Sequence, residues 1–211
     1  MEARYELINY IIDKFNFNKY LEIGYQDGIC FDNIKIKEKY SVDPLPRRYE
    51  ERLFKMTSDE FFNSYDTKYD IIFIDGLHTY EQVKNDFENS LLRLNDGGII
   101  VFHDMNPMDI EYNGYIITGE ERSLSFNEGG QWNGDCYKVA IDIYNGVYDN
   151  YYITVDIDQG CMVLFKDRKR PTKKNNIGKS YNDLNNNRID ILNLSSVDEF
   201  KSEINKIIEN E

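Results

Sequence analysis

Histidine, cysteine and positive charge are all scarce in this chain, and each shortage narrows what it can do. Three cysteines, Cys30, Cys136 and Cys161, are odd in number, widely spaced and free of any C-x-x-C pattern. That argues against a disulfide framework or a zinc cluster and points to the reducing cytoplasm. No apolar stretch approaches the roughly 18 residues needed to span a bilayer, and Met1-Glu2-Ala3-Arg4 leads straight into an amphipathic pattern without a leader's apolar core. Lys and Arg number 25 against 38 Asp and Glu, a net charge of −13 that repels nucleic acid and anionic membranes alike. The basic stretch from Lys166 to Lys174 reads as a solvated segment. Small molecules are therefore the expected partners. A length of 211 residues suits one α/β domain with a tail.

Against that background stand short apolar runs ending in turn residues: Tyr20 to Gly24, Tyr40 to Pro44, Tyr69 to Asp75 and Gly98 to Asp104. Such runs read as buried parallel strands, with Phe54-Lys55-Met56 a weaker one. Helical spacing of apolar residues predicts helices over about 4–15, after Thr79, over about 135–144 and after Ser196. Thr57/Glu60, Thr79/Gln82 and Ser196/Glu199 have capping-box spacing. Residues 152–156 and 161–165 read as a hairpin. The alternation implies an α/β fold with a mostly parallel, Rossmann-like sheet and an antiparallel hairpin strand at one edge. Residues 1–167 are the expected domain, with the irregular, glycine-dotted stretch 106–134 as a substrate lid. Residues 168–211 read as a polar linker and C-terminal helix.

In such sheets ligands gather at the carboxyl ends of strands. Gly24 and Gly28 leave room for close backbone approach to a nucleoside ligand, and Asp43, ending the next strand, suits ribose hydroxyls. The same layout also serves dinucleotides, although this spacing departs from G-x-G-x-x-G. Both histidines, His78 and His103, sit near strand-end aspartates, Asp75 and Asp104. His78 fits a base that removes a proton from an acceptor hydroxyl, or else a helix cap; Asp104 fits a base or a metal ligand. Ser58 and Asp59 are explained by capping as well as by a ligand. Trp132 suits stacking on a sugar, or plain core. Two histidines and an aspartate also admit a non-haem iron oxygenase, and the fold admits a non-catalytic cofactor-binding module.

The chain resembles the class I S-adenosylmethionine-dependent methyltransferases, and within them the small bacterial branch related to sugar and macrolide O-methyltransferases. The likeness runs through Leu21-Glu22-Ile23-Gly24, Val42-Asp43-Pro44, Met56 to Phe62, Ile74 to Val83 and His103-Asp104-Met105-Asn106-Pro107. It continues in Trp132-Asn133-Gly134-Asp135 with Lys138, and in Asn187 to Leu194. It implies a seven-stranded methyltransferase sheet and S-adenosylmethionine as cofactor. The cofactor would lie over Gly24 and Gly28, its ribose on Asp43, its adenine near Ser58 and Asp59, and its methionine end near Glu22 and Asp75. Cation-dependent relatives add magnesium or manganese, for which Asp75, Asp104 and Asn106 are the matching residues, with Met105 where the branch often has a second acid or amide. The expected reaction is methylation of a hydroxyl on a small or carbohydrate-like acceptor, with His78 and Asp104 catalytic. A homo-oligomer is left open.

Overall fold

The apolar runs become adjacent strands of one sheet in a computed structural model that describes residues 1–112, 114–124, 132–171 and 175–209. β1 (Lys19–Ile23), β2 (Glu38–Val42), β3 (Leu53–Phe54), β4 (Tyr69–Ile74) and β5 (Leu94–Phe102) run parallel in the spatial order β3-β2-β1-β4-β5. The chain therefore reverses its direction of travel across the sheet at β1, which opens a crevice between the strand ends there. Pairing of Ile23 with Val42 and Ile74, and of Ile74 with Phe102, brings those ends level. Gly24, Asp43, Asp75 and His103 consequently follow in one row.

Beyond β5 the sheet continues with β9 (Cys161–Lys169), antiparallel to β5, and β8 (Asn150–Val155), paired antiparallel with β9 as the hairpin reading expects. An eighth strand, β10 (Leu194–Ser195), pairs parallel with β8, so the sheet has one strand more than the seven implied by the resemblance. Two residues between polar segments give no strand period, which is why the sequence hides it.

Each face of the sheet is covered by helices. On one, α1 (Arg4–Phe15) lays Leu7, Ile8 and Ile11 against Ile71, Phe73, Ile99 and Val101, each buried aliphatic contributing about 1.5–3 kcal/mol. α2 (Ile29–Asn33) adds Phe31, and α9 (Val197–Glu209) adds Phe200, Ile204 and Ile207. On the other face, α3 (Ser58–Ser64), α4 (Tyr80–Arg93) and α6 (Lys138–Tyr144) pack Phe61, Val83, Phe87 and Ile141 over Ile72, Ile74 and Ile100. α8 (Arg188–Leu192) buries Ile191 and Leu192 there, and α7 (Tyr181–Asn186) buries Leu184. The segment after 168, read from sequence as an appendage, thus supplies a strand and core residues to both faces.

The stretch 106–134 is not structureless. It forms a ribbon of β6 (Ile110–Tyr112) and β7 (Tyr115–Ile117), then α5 (Gly119–Leu124); residues 113 and 125–131, Phe126 among them, lie outside the described residues. Capping boxes form at Thr57/Glu60 and at Ser196/Glu199. At Thr79 no side-chain cap bond forms: Asp135, from far along the chain, accepts from the Tyr80 amide at 2.5 Å, and Gln82 turns elsewhere.

Candidate active site

The strand ends enclose a cavity of about 540 Å³, within the ordinary size for a small-molecule site. At its β2 end Asp43 holds the glycine turn in place, its two carboxylate oxygens accepting from the amides of Gln26 at 2.8 Å and Leu45 at 2.7 Å. Each oxygen retains a lone pair for a further donor. Ser58 and Asp59, at the start of α3, line the same half, held by Gln82, whose amide lies 3.2 Å from the Ser58 hydroxyl, 3.2 Å from Asp59 and 3.1 Å from Asp86. Gln82 and the buried Asp86 are lining residues that sequence reading missed. Burial pushes the Asp86 carboxyl up to about 6.

Gly24 serves the protein's own backbone before any ligand. Its φ is +94°, and a Cβ there would run into the carbonyl of Asp75 and the Cα of Gly76. Only glycine lets β1 and β4 converge this closely at the cavity floor. Gly28 lies against the Tyr25 ring and Arg48 as the N-cap of α2 and does not line the cavity.

Glu22, 1% exposed, accepts from the Tyr20 hydroxyl at 2.5 Å, and it faces a second cavity of about 200 Å³ beneath the glycine turn. Burial pushes its carboxyl up to about 8. The folded state therefore binds the proton more tightly than the unfolded chain, and the stability gained is complete below the ordinary glutamate range and lost as pH rises through about 8. Glu22→Gln, neutral at all pH, is expected to melt with wild type at pH 4.5 and to exceed it by about 2–4 kcal/mol at pH 9. Thermal melts in parallel across that range check this; a constant difference would show that burial does not hold Glu22 protonated.

The β4 and β5 end carries three carboxylates and three cationic groups. His78 Nδ1 lies 3.1 Å from the carbonyl of Trp132 and 3.2 Å from Asp104, and its Nε2 lies 3.4 Å from Asp75. His103 Nδ1 is 2.9 Å from Asp104 and 3.2 Å from Asp75, and its Nε2 is 3.5 Å from Asp158. Arg4 Nη1 donates to Asp75 at 2.5 Å and Nε to Asp158 at 2.8 Å. Burial pulls the His78 imidazole down, but Asp75 and Asp104 outweigh it and hold it up at about 9. His103 is raised by the same contest. Burial pushes Asp75 upward, yet His103, His78 and Arg4 prevail and keep it well below the carboxylate range.

Trp132-Asn133-Gly134-Asp135 locks this end from above. Asn133 donates to Asp104 at 2.7 Å, Gly134 passes where a Cβ would strike the His78 carbonyl, and the Trp132 ring lies 5.5 Å from the imidazole. Asp104 itself takes φ +60°, a left-handed conformation rare for a residue with a side chain. Lys138 turns away and pairs with Asp135 at 2.6 Å.

The metal set implied by the resemblance does not form. Asn106 donates to Asp156 at 2.9 Å and accepts from Arg188 at 2.6 Å, because the C-terminal segment packs against residues 106–107 and claims it. Asp75, His78 and Asp104 do bring one ligand atom each within 4.8 Å of one another. Their charge is already matched by Arg4 and the two imidazoles, and a cation would have to take Asp75 from Arg4 and drive a proton off His78. The donors do not fit a resident divalent ion.

Sequence reading thus brought together Glu22, Gly24, Asp43, Ser58, Asp59, Asp75, His78 and Asp104, but not Gly28 or Asn106. It missed Arg4, Asn133, Asp158 and Gln159. Asn133 had a signal, its place in the Trp132 to Asp135 motif.

A doubly covered parallel sheet with a nucleoside-sized cavity at its switch point is the frame of a nucleotide-cofactor enzyme, and comparison narrows the class. Residues 21–105 match the family described as methyltransferase domain. The chain is 33% identical over 157 residues, covering 62% of itself and 68% of its counterpart, to uncharacterized protein R132 of Acanthamoeba polyphaga mimivirus. Its fold resembles that of the SAH-bound Podospora anserina methyltransferase PaMTH1, with TM-score 0.55 and 13% identity over 81% of this chain and 80% of that one. It also resembles the SAM-bound O-methyltransferase TomG of Streptomyces achromogenes, with TM-score 0.50 and 11% identity over 77% and 78%. Residues 21–105 are thus those of a methyltransferase domain, and the fold around them is the one S-adenosylmethionine-dependent methyltransferases share.

Proposed function

We propose that the protein methylates a hydroxyl of a small, carbohydrate-like acceptor, with His78 as the proton acceptor. The observation that carries this reading is the placement of His78 at the lid end of the cavity, its ring fixed between Asp75, Asp104 and the Trp132 carbonyl. In the transfer an acceptor oxygen attacks the methyl carbon, the carbon–sulfur bond breaks with its electron pair going to sulfur, and the hydroxyl proton leaves for a base. The Nδ1 hydrogen is spoken for by the Trp132 carbonyl, which leaves Nε2 to take that proton. Catalysis otherwise rests on holding the oxygen in line with the methyl group. Asp43 would take the ribose, and Ser58 and Asp59 the adenine. The Trp132 face beside His78 suits the apolar side of a sugar ring, with Gln159 supplying a polar edge.

Unpaired Cys30, Cys136 and Cys161 favour a reducing compartment, and no helix among the described residues is long and apolar enough to cross a membrane. The test is methyl transfer from labelled S-adenosylmethionine to panels of sugars, polyols, phenols, amines and thiols, with and without excess EDTA. Label is expected on hydroxyl compounds at the same rate in both conditions. Transfer confined to amines or thiols would overturn the acceptor class. Loss of activity in EDTA with recovery on added manganese or magnesium would overturn the cation-free site.

A further inference from the structure

Arg122, on α5, is 1% exposed, although a guanidinium is costly to bury unless acceptors meet its N–H groups. Its Nη1 donates to the carbonyl of Met108 at 2.7 Å, and its Nη2 donates to Oε1 of Gln159. Its own main-chain carbonyl accepts from the amides of Asn133 at 3.0 Å and Gly134 at 3.1 Å. One residue thus joins the chain before β6, the turn between β8 and β9, and the motif that carries Trp132. Gln159 and Trp132 line the main cavity; Arg122 stands behind them. The main chain of Gln159 is fixed as well. Its φ is +68°, between Asp158 at +42° and Gly160 at +87°, a run of left-handed residues that holds only where the surroundings impose it. Here they do: the amides of Met105 and Asn106 donate to the carbonyls of Gly160 at 3.1 Å and Gln159 at 2.9 Å.

An amide side chain has one accepting and one donating end, and a guanidinium can only donate. Arg122 therefore takes the Oε1 end of Gln159 and leaves the NH2 end, from which nothing accepts among the described residues. We propose that Arg122 is a positioning residue for the choice of methyl acceptor: by holding Oε1 it makes Gln159 a hydrogen-bond donor toward the cavity, so that the enzyme favours acceptors with a second oxygen beside the hydroxyl to be methylated. This rests on a hydroxyl being the methylated group. A sugar or polyol ring carries such an oxygen on the neighbouring carbon. A monohydric phenol or alcohol leaves the NH2 without a partner once water is displaced, which counts against it. The contact lies away from the reacting atoms and is made alike before and during methyl transfer, so it acts on KM more than on kcat.

Steady-state kinetics of the full chain with S-adenosylmethionine tests this on two sets of acceptors, methyl glycosides and inositols against phenol and benzyl alcohol. Gln159→Met is expected to raise KM for the glycosides and inositols roughly 3–10-fold, and to move KM for phenol and benzyl alcohol by less than about twofold. Gln159→Glu, which keeps a partner for Arg122 but has no N–H to offer, should lose the same discrimination. Arg122→Met should lose it too, and the double variant should lose no more than either single one, because the arginine acts through the glutamine. The quantity read is the ratio of kcat/KM between the two sets, which loss of folded protein cannot move; should Arg122→Met fail to fold, the two Gln159 variants decide. Unchanged discrimination in those variants, equal weakening of both sets, or losses that add in the double variant would overturn the proposal. A wild type that methylates both sets equally well also overturns it and leaves the hydroxyl reading standing. A wild type that labels no hydroxyl compound removes that reading, and this proposal with it.

Discussion

Replacing His78 with alanine is expected to lower kcat by about 10²–10⁴-fold while S-adenosylhomocysteine binds with nearly unchanged affinity. The imidazole lies beside Trp132 at the β4 and β5 end of the cavity, and Asp43, Ser58 and Asp59, to which the cofactor is assigned in the proposal, line the β2 end. The pH dependence gives the sharper signature. An imidazole held up at about 9 by two carboxylates is protonated at neutral pH and cannot accept the hydroxyl proton. The wild-type rate should therefore climb about tenfold per pH unit through neutrality and level off near 9, and the variant should lose that limb. A wild-type profile already flat at pH 7, or a variant that retains the limb, would assign the proton to another group.

Gly24→Ala is expected to cost more than about 3 kcal/mol of stability and to abolish cofactor binding. Two effects combine there: φ of +94° strains any side-chain-bearing residue, and the new Cβ would run into backbone of Asp75 and Gly76 that cannot rotate away. Gly97 separates them. Its φ is +73°, but a Cβ there meets nothing within 4 Å, so Gly97→Ala should cost only about 1 kcal/mol and leave activity intact. Chemical denaturation of the two variants beside wild type reads the difference. Similar losses in both would mean that the close approach of β1 and β4 does not constrain residue 24.

The sheet was legible because its strands are buried on both faces and therefore spell themselves as continuous apolar runs such as Ile71 to Ile74 and Ile99 to Phe102. Acids placed just beyond those runs had to converge once the strands lay parallel, so Asp43, Asp75 and Asp104 could be read as a group. α1 was legible for a similar reason, its buried residues recurring at helical spacing. Arg4 was not, because its role depends on a guanidinium reaching a residue 71 positions away. Asp158 and Gln159 read as turn residues, which they are, with φ of +42° and +68°; that turn also carries them to the cavity edge. Local spacing misled at Thr79, where Asp135 captures the first helical amide and leaves Gln82 to reach Ser58 and Asp59. It misled again at Asn106, whose partners Asp156 and Arg188 come from the hairpin and from the segment taken for an appendage.

The most direct test of the central claim is a crystal structure with S-adenosylhomocysteine. The account expects the ribose hydroxyls on Asp43, the adenine between Ser58 and Asp59, and the sulfur turned toward the His78 and Trp132 end, with open space on its far side for an acceptor. Adenosine density outside the main cavity, or a sulfur facing away from His78 with the ring out of reach of any acceptor, would contradict it.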